Sequence, residues 1–164
     1  MNDPTAAIVQ FLRQEFIGKS EIKAVYDSDP DLIPTDEIPC ITVDKQSDRS
    51  EYGATGRMDV TEEIVIKVIL DKQVDWKEDV DHEQHVTKHL RRLVECRTDD
   101  GRSYAPGSIR YALANRLEIS GVAVSAAMST QYGIAARNDG SMVSAEAHLT
   151  LTCTYMMVVP TRVV

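Results

Sequence analysis

The chain has 164 residues, 43% of them apolar and 27% charged, with a formal net charge of −8. That length predicts one domain over 1–164 with a core of its own, and aromatics at 5% make that core aliphatic. The acidic excess argues against a surface that grips nucleic-acid phosphates or anionic membranes.

Asp3-Pro4 opens a helix, because Asp suits the N-cap and Pro the first helical position. Ile8, Leu12 and Phe16 form one stripe, with Val9 and Phe11 beside it, and Gly18 suits the residue beyond the helix end. The predicted helix is Pro4 to Ile17. Ile22 to Tyr26 reads as a short strand. Asp27 to Pro39 holds three prolines and five acids and reads as a loop. Ile38 to Val43 is a second short apolar strand. Asp44 to Gly56 is polar and has no hydrophobic period. The expectation there is a long mobile loop, weakly ordered in an isolated subunit and ordered against a neighbour.

Arg57 to Lys72 alternates. Met58, Val60, Ile64, Ile66, Val68 and Leu70 share a side, with Glu62 the exception; the other side is polar apart from Val65 and Ile69. This predicts a strand of about 14 residues, against a usual length of about 5–6. Asp75 and Glu78 have capping-box spacing. The helix predicted from there runs to about Cys96 and buries Val86, Leu90, Leu93 and Val94. Arg91, Arg92 and Arg97 gather near its C-terminus, where the helix dipole favours cations. Thr98 to Gly101 breaks the pattern, and Ser108 to Leu117 reads as a short third helix.

Asp139-Gly140 is a hairpin signal, since a type I′ turn needs φ > 0 at both central residues. With that turn at the centre, Tyr132 faces Ala147, Met128 faces Leu151, Ala126 faces Cys153, Val124 faces Tyr155 and Val122 faces Met157. Thr130 opposite Leu149 is the mixed pair on that face. The other face sets Ser125, Ser129 and Gln131 against Thr154, Thr150 and His148. Residues 121 to 158 are thus predicted as one long hairpin with its apolar face toward the helices.

Strands and helices in separate blocks argue for an α+β fold: a mostly antiparallel sheet with long strands and two main helices packed on one face. At about 3.4 Å per residue, about eleven paired residues reach roughly 35 Å, which matches or exceeds the diameter of a compact domain this size. Part of the hairpin or its partner strand should therefore project and meet a neighbouring subunit.

The constellations that could carry chemistry are weak. His82, His85 and His89 share one side of the second helix, and His85 and His89 have the i, i+4 spacing of a metal pair. Val86 follows His85, so no H-E-x-x-H forms. A solvated helix flank is the favoured reading, with a zinc or nickel site and a pH-titrating contact as alternatives. Asp27-Ser28-Asp29-Pro30-Asp31 suggests a calcium loop, but Leu32 and Ile38 stand where an EF-hand needs Gly and Glu. Gly53-Ala54-Thr55-Gly56-Arg57 lacks the Lys-Ser/Thr of a P-loop, and no G-x-S-x-G nucleophile elbow occurs. Cys40, Cys96 and Cys153 form no CxxC and read as buried free thiols in a reducing compartment. No catalytic, cofactor-binding or metal-binding residue is assigned, and the chain is read as a non-enzyme without a cofactor. Neither a signal peptide nor an apolar run of membrane-spanning length is evident, so synthesis in a cytoplasm is expected.

The layout resembles the tail terminator, or tail completion, proteins of long-tailed bacteriophages. The helix Pro4 to Ile17 leads into Ile38-Pro39-Cys40-Ile41-Thr42-Val43, similar to that family's P-x-I-x-V strand. A polar loop with Gly53 and Gly56 follows, then the strand Glu62 to Leu70 and a helix ending Leu90-Arg91-Arg92-Leu93-Val94. Gly121-Val122-Ala123-Val124 and Leu149-Thr150-Leu151-Thr152-Cys153 are similar to its closing strands. The stretch Tyr104 to Arg116 and the long hairpin depart from the family pattern.

The resemblance implies a structural virion protein: a hexameric ring in the tail or neck, assembled in the host cytoplasm, that stops tail-tube growth and joins tail to neck. Its partners would be copies of itself, tube proteins, sheath proteins in a contractile tail, and neck or connector proteins. Duplex DNA would pass through without specific binding, and no membrane would be involved. An acidic opening suits that passage, because a basic one would hold the phosphates. Asp27 to Asp36 and Asp44 to Glu51 are the candidate lining segments. The alternatives are another oligomeric neck or tail-completion adaptor, or a non-viral assembly module.

Overall fold

The computed structural model describes residues 3–53, 56–76, 85–114, 118–119 and 122–159. Helix α1 spans Pro4–Phe16. Asp3 caps it by accepting the Thr5 N–H at 2.9 Å, and Pro4 opens the first turn. Gly18, at φ 75°, takes the left-handed conformation that ends the helix. Arg13 reaches out of the last turn and donates from Nε and a terminal nitrogen to the Val25 carbonyl, at 3.1 and 2.8 Å. Strand β1 (Ala24–Tyr26) follows, then β2 (Cys40–Tyr52), β3 (Arg57–Asp71), α2 (Val86–Glu95), α3 (Ile109–Ala114), the two-residue β4 (Glu118–Ile119), β5 (Val122–Arg137) and β6 (Met142–Val158).

The six strands form one sheet in the order β1-β2-β3-β6-β5-β4. Among the described residues, only β1 and β2 run parallel; every other pair is antiparallel. The fold is α+β, with long strands and the two main helices on one face.

Three expectations are corrected. Residues 44–52 are not a loop: β2 runs through them, paired with β3 as far as Tyr52↔Met58. A hydrophobic period of two appears only where one face of a strand is buried, and this stretch is half-buried at Asp44 and exposed beyond it.

The second helix does not run from Asp75. A 3-10 turn occupies Lys72–Trp76, and α2 begins at Val86 with His85 as its N-cap. Asp75 still serves this helix, because its Oδ1 accepts the Val86 N–H at 2.9 Å from eleven residues upstream. Glu78 and His82 lie outside the described residues.

The hairpin register holds from Arg137↔Met142 to Met128↔Leu151, then shifts. Val124 pairs with Cys153 rather than Tyr155, because a bulge between Val124 and Met128 places two extra residues on β5. The tip is as expected: Asp139 and Gly140 have φ of 56° and 83°, and the Ser141 N–H donates to the Asn138 carbonyl at 3.1 Å.

Two cores result. The larger lies between the sheet and the helices, where Ile41, Val43, Ile64, Ile66, Val68, Leu149 and Leu151 meet Ile8, Leu12 and Phe16 of α1, Leu90 and Val94 of α2, and Leu113 of α3. The smaller lies on the opposite face, where Ile33 and Ile38 of the 27–39 segment cover Cys40, Ile69 and Met142. That acidic, proline-rich segment is therefore a strap across the sheet.

Candidate assembly interface

The helices are too short for their sheet. The 13 residues of α1 and the 10 of α2 extend about 20 and 15 Å at 1.5 Å per residue. The 15 residues of β3 and the 17 of β6 extend about 50 and 58 Å. The excess emerges at one end as a three-stranded arm made of 45–52, 57–63 and 152–158, paired across both ladders out to Arg57↔Val158.

The arm's helix-side face continues the rows of the core outward. Asp48, Glu62 and Cys153 form one row; Ser50, Val60 and Tyr155 the next; Tyr52, Met58 and Met157 the last. Val60 is buried, whereas Tyr52 is 82% and Met157 41% exposed. Glu62, the exception in the β3 alternation, is 4% exposed. It accepts the Tyr155 hydroxyl at 2.7 Å and lies 3.6 Å from Lys45 Nζ. Burial raises the Tyr155 hydroxyl above its ordinary range, and the hydrogen bond to Glu62 raises it further.

The arm's free edge is β2. Strand β1 pairs only with Cys40, Ile41 and Thr42, so the outer edge beyond Thr42 has no strand partner among the described residues. Lys45, Asp48, Arg49 and Glu51 sit along it, with a register shift between Lys45 and Ser47. Charges and a bulge are how an exposed edge resists indiscriminate pairing.

A second uncovered apolar region lies on the same sheet face, at β5. Tyr132 pairs with Ala147 and Ile134 with Ala145; both partners are buried, yet Ile134 is 62% exposed and Tyr132 is exposed too. Between β5 and α2 runs a groove of about 360 Å³ lined by Thr87, Leu90, Arg91, Tyr132, Gly133 and Ile134. Burial raises the Tyr132 hydroxyl, and its bond to Glu95 of α2 adds to the rise.

The opposite face carries an ion network that the sequence did not announce. Glu146, 2% exposed, takes a fork from Arg137: Nε to Oε1, and a terminal nitrogen to Oε2 at 3.2 Å. It also accepts from the Ser144 hydroxyl at 2.7 Å and meets His148 Nε2 at 2.8 Å. Asp29 of the strap joins Arg137 at 2.8 Å and Lys67 at 2.5 Å. Asn138 clamps the strap's backbone, accepting the Ile33 N–H at 2.8 Å and donating to the Ile33 carbonyl at 2.9 Å. Burial alone would raise the Glu146 carboxyl; the bonds from Arg137, Ser144 and His148 outweigh it and bring it down to about 2. Asp29 is likewise raised by burial and lowered further by Arg137 and Lys67, ending below its ordinary value.

The candidate chemical residues do not converge. His89 Nε2 meets Glu21 Oε2 at 2.6 Å, tying α2 to the turn after α1, while His85 stands at the N-cap position of α2, whose first N–H goes to Asp75. Of the acidic run, Asp29 is spent on the ion network. Gly53 sits at the end of the arm, its N–H donating to the Arg57 carbonyl. Cys40 and Cys153 are buried, and burial pushes their thiols up to about 12 and about 11, so both stay protonated and unreactive. Cys96 is half-buried. Among the described residues, no group of three or more His, Cys, Asp or Glu is placed to hold a metal, and no helix is long and apolar enough to cross a membrane.

No protein-family model and no curated protein sequence matches this chain. Strand length pointed to the arm; the run of charges along β2 concealed its third strand. The groove had a weaker signal in Tyr132 and Ile134, which continue the apolar alternation of β5.

Proposed function

We propose that this chain is a structural subunit of the tail-terminator type, assembling into a closed ring in the tail or neck of a bacteriophage virion, and that it is not an enzyme. One observation carries the reading: the sheet outruns its helices and projects a three-stranded arm whose helix-side face is apolar and uncovered at its end. The end of that arm buries little within the monomer, whereas a neighbour that covers it buries apolar surface worth about 25 cal/mol per Å². Contacts between unlike surfaces of identical subunits form rings when the rotation closes. The net charge of −8 suits an opening through which DNA slides without sticking.

Light scattering on the purified protein, followed by electron microscopy of the assembled fraction, tests the reading. The expected result is a ring with a central opening wide enough for duplex DNA. A monomer at every concentration, alone and with tube or neck proteins, would overturn it, as would a solid centre.

A further inference from the structure

The sheet face that packs against the helices is left bare in two places. One is the end of the arm, with Tyr52, Met58 and Met157 in a row. The other is the groove between α2 and β5, floored by Gly133 and flanked by Tyr132 and Ile134. They are different in shape: the arm is a projecting ribbon, and the groove is a concave slot beside a helix.

They are also opposite in charge. Over 45–52 and 57–63, the arm carries five acids and three bases. Lys45 pairs with Asp48 and Arg49 with Glu51, so the bases are largely committed within the arm. Between residues 86 and 97, α2 and the residue after Cys96 carry four bases and one acid. Arg91, exposed, forms the wall of the groove itself. In a protein with this overall acidity, a helix with a net excess of bases beside an apolar slot is a local reversal of sign, its one acid, Glu95, being bonded to Tyr132. A second copy of the chain supplies an occupant with both required properties, an apolar row with acids around it.

We propose that the arm of each subunit seats its Tyr52–Met58–Met157 row in the α2–β5 groove of the next subunit. The contact is heterologous, arm to groove, so each subunit gives one arm and receives another. This proposal rests on the ring reading and adds the surfaces that build it. The aromatic ring of Tyr132 and the Ile134 side chain then cover the methionines of the arm.

Two variants test the contact, each at an exposed position so that folding survives: Met157→Asp on the arm and Ile134→Asp in the groove. Circular dichroism and thermal melts should match the parent. Each variant alone should self-associate roughly tenfold or more weakly, the size expected when an apolar anchor is lost. Mixed together, they should form a one-to-one dimer and stop there. The intact arm of the groove variant fills the intact groove of the arm variant, and the remaining pair of surfaces is dead. Raising the salt concentration should weaken association of the parent protein, since the surfaces differ in charge. If the parent assembles while Ile134→Asp assembles equally well, the arm-to-groove contact is wrong and the ring reading stands. If the mixture yields no dimer, the contact is also wrong. If the parent never assembles, the ring reading itself falls.

Discussion

The inner half of the sheet and the arm are built from the same three strands, yet they are opposite in how they are held. Inside, β2, β3 and β6 lie between helices on one face and the 27–39 strap on the other. Toward the arm's end, the same strands keep their ladder hydrogen bonds, but the last row, Tyr52, Met58 and Met157, lies beyond the helix-side cover. Backbone pairing alone thus extends the sheet, while apolar burial decides which part of it is needed for folding. A substitution should be costly for stability inside and nearly free at the arm's exposed end, and the reverse should hold for assembly.

The largest effect is expected at Leu151, buried in the main core and paired with Ile64. Leu151→Asp places an unpaired carboxylate there and should cost several kcal/mol, about 4 or more, enough to unfold a domain of ordinary stability. Chemical denaturation would show it. A folded variant within about 1 kcal/mol of the parent would contradict the two-sided picture.

Next comes the ion network under the strap. Arg137→Ala leaves Glu146 buried without its fork and should cost about 3–5 kcal/mol. The parent has a matching acid dependence. Glu146 titrates at about 2 when folded, against an ordinary 4.5, so its stabilisation is complete above pH 4.5 and is lost as pH falls through about 2. The size is on the order of 3 kcal/mol, and Asp29 adds in the same direction. Glu146→Gln should flatten that part of the acid unfolding curve. An unchanged curve would remove the network from the account.

A smaller loss is expected where the strap is clamped. Asn138→Ala removes both bonds to the Ile33 backbone and places Ala at φ 55°, costing about 1–3 kcal/mol. Faster hydrogen exchange at the Ile33 amide, with the main core unchanged, would show the strap lifting by itself.

The smallest effect on stability is expected on the arm. Met157→Ser should change unfolding free energy by less than about 0.5 kcal/mol, because the side chain is already 41% exposed. The same variant should lose assembly. A stability loss above about 2 kcal/mol would mean that the arm folds back on its own subunit.

How much of this was legible beforehand varies with the local physics. Asp3-Pro4, the β3 alternation and the Asp139-Gly140 turn were readable because each depends on residues close in sequence: a cap, a period of two, a positive φ. The same locality misled at Asp75, whose carboxylate does cap α2, but across a gap that spacing rules do not anticipate. The outer part of β2 was invisible, because a strand with water on both faces has no hydrophobic period. The bulge between Val124 and Met128 was equally invisible, since two extra residues preserve the alternation.

By itself, then, the amino-acid order determined the class of the fold, the long central strands, the hairpin tip and the aliphatic character of the core. Only the tertiary structure decided that the acidic segment 27–39 is a strap, that Glu146 and Arg137 form a buried pair, and where the helices stop covering the sheet. Those features join residues up to 108 positions apart, as Asp29 and Arg137 are. A contact between such distant side chains is a product of packing geometry, and no local pattern in the chain encodes it.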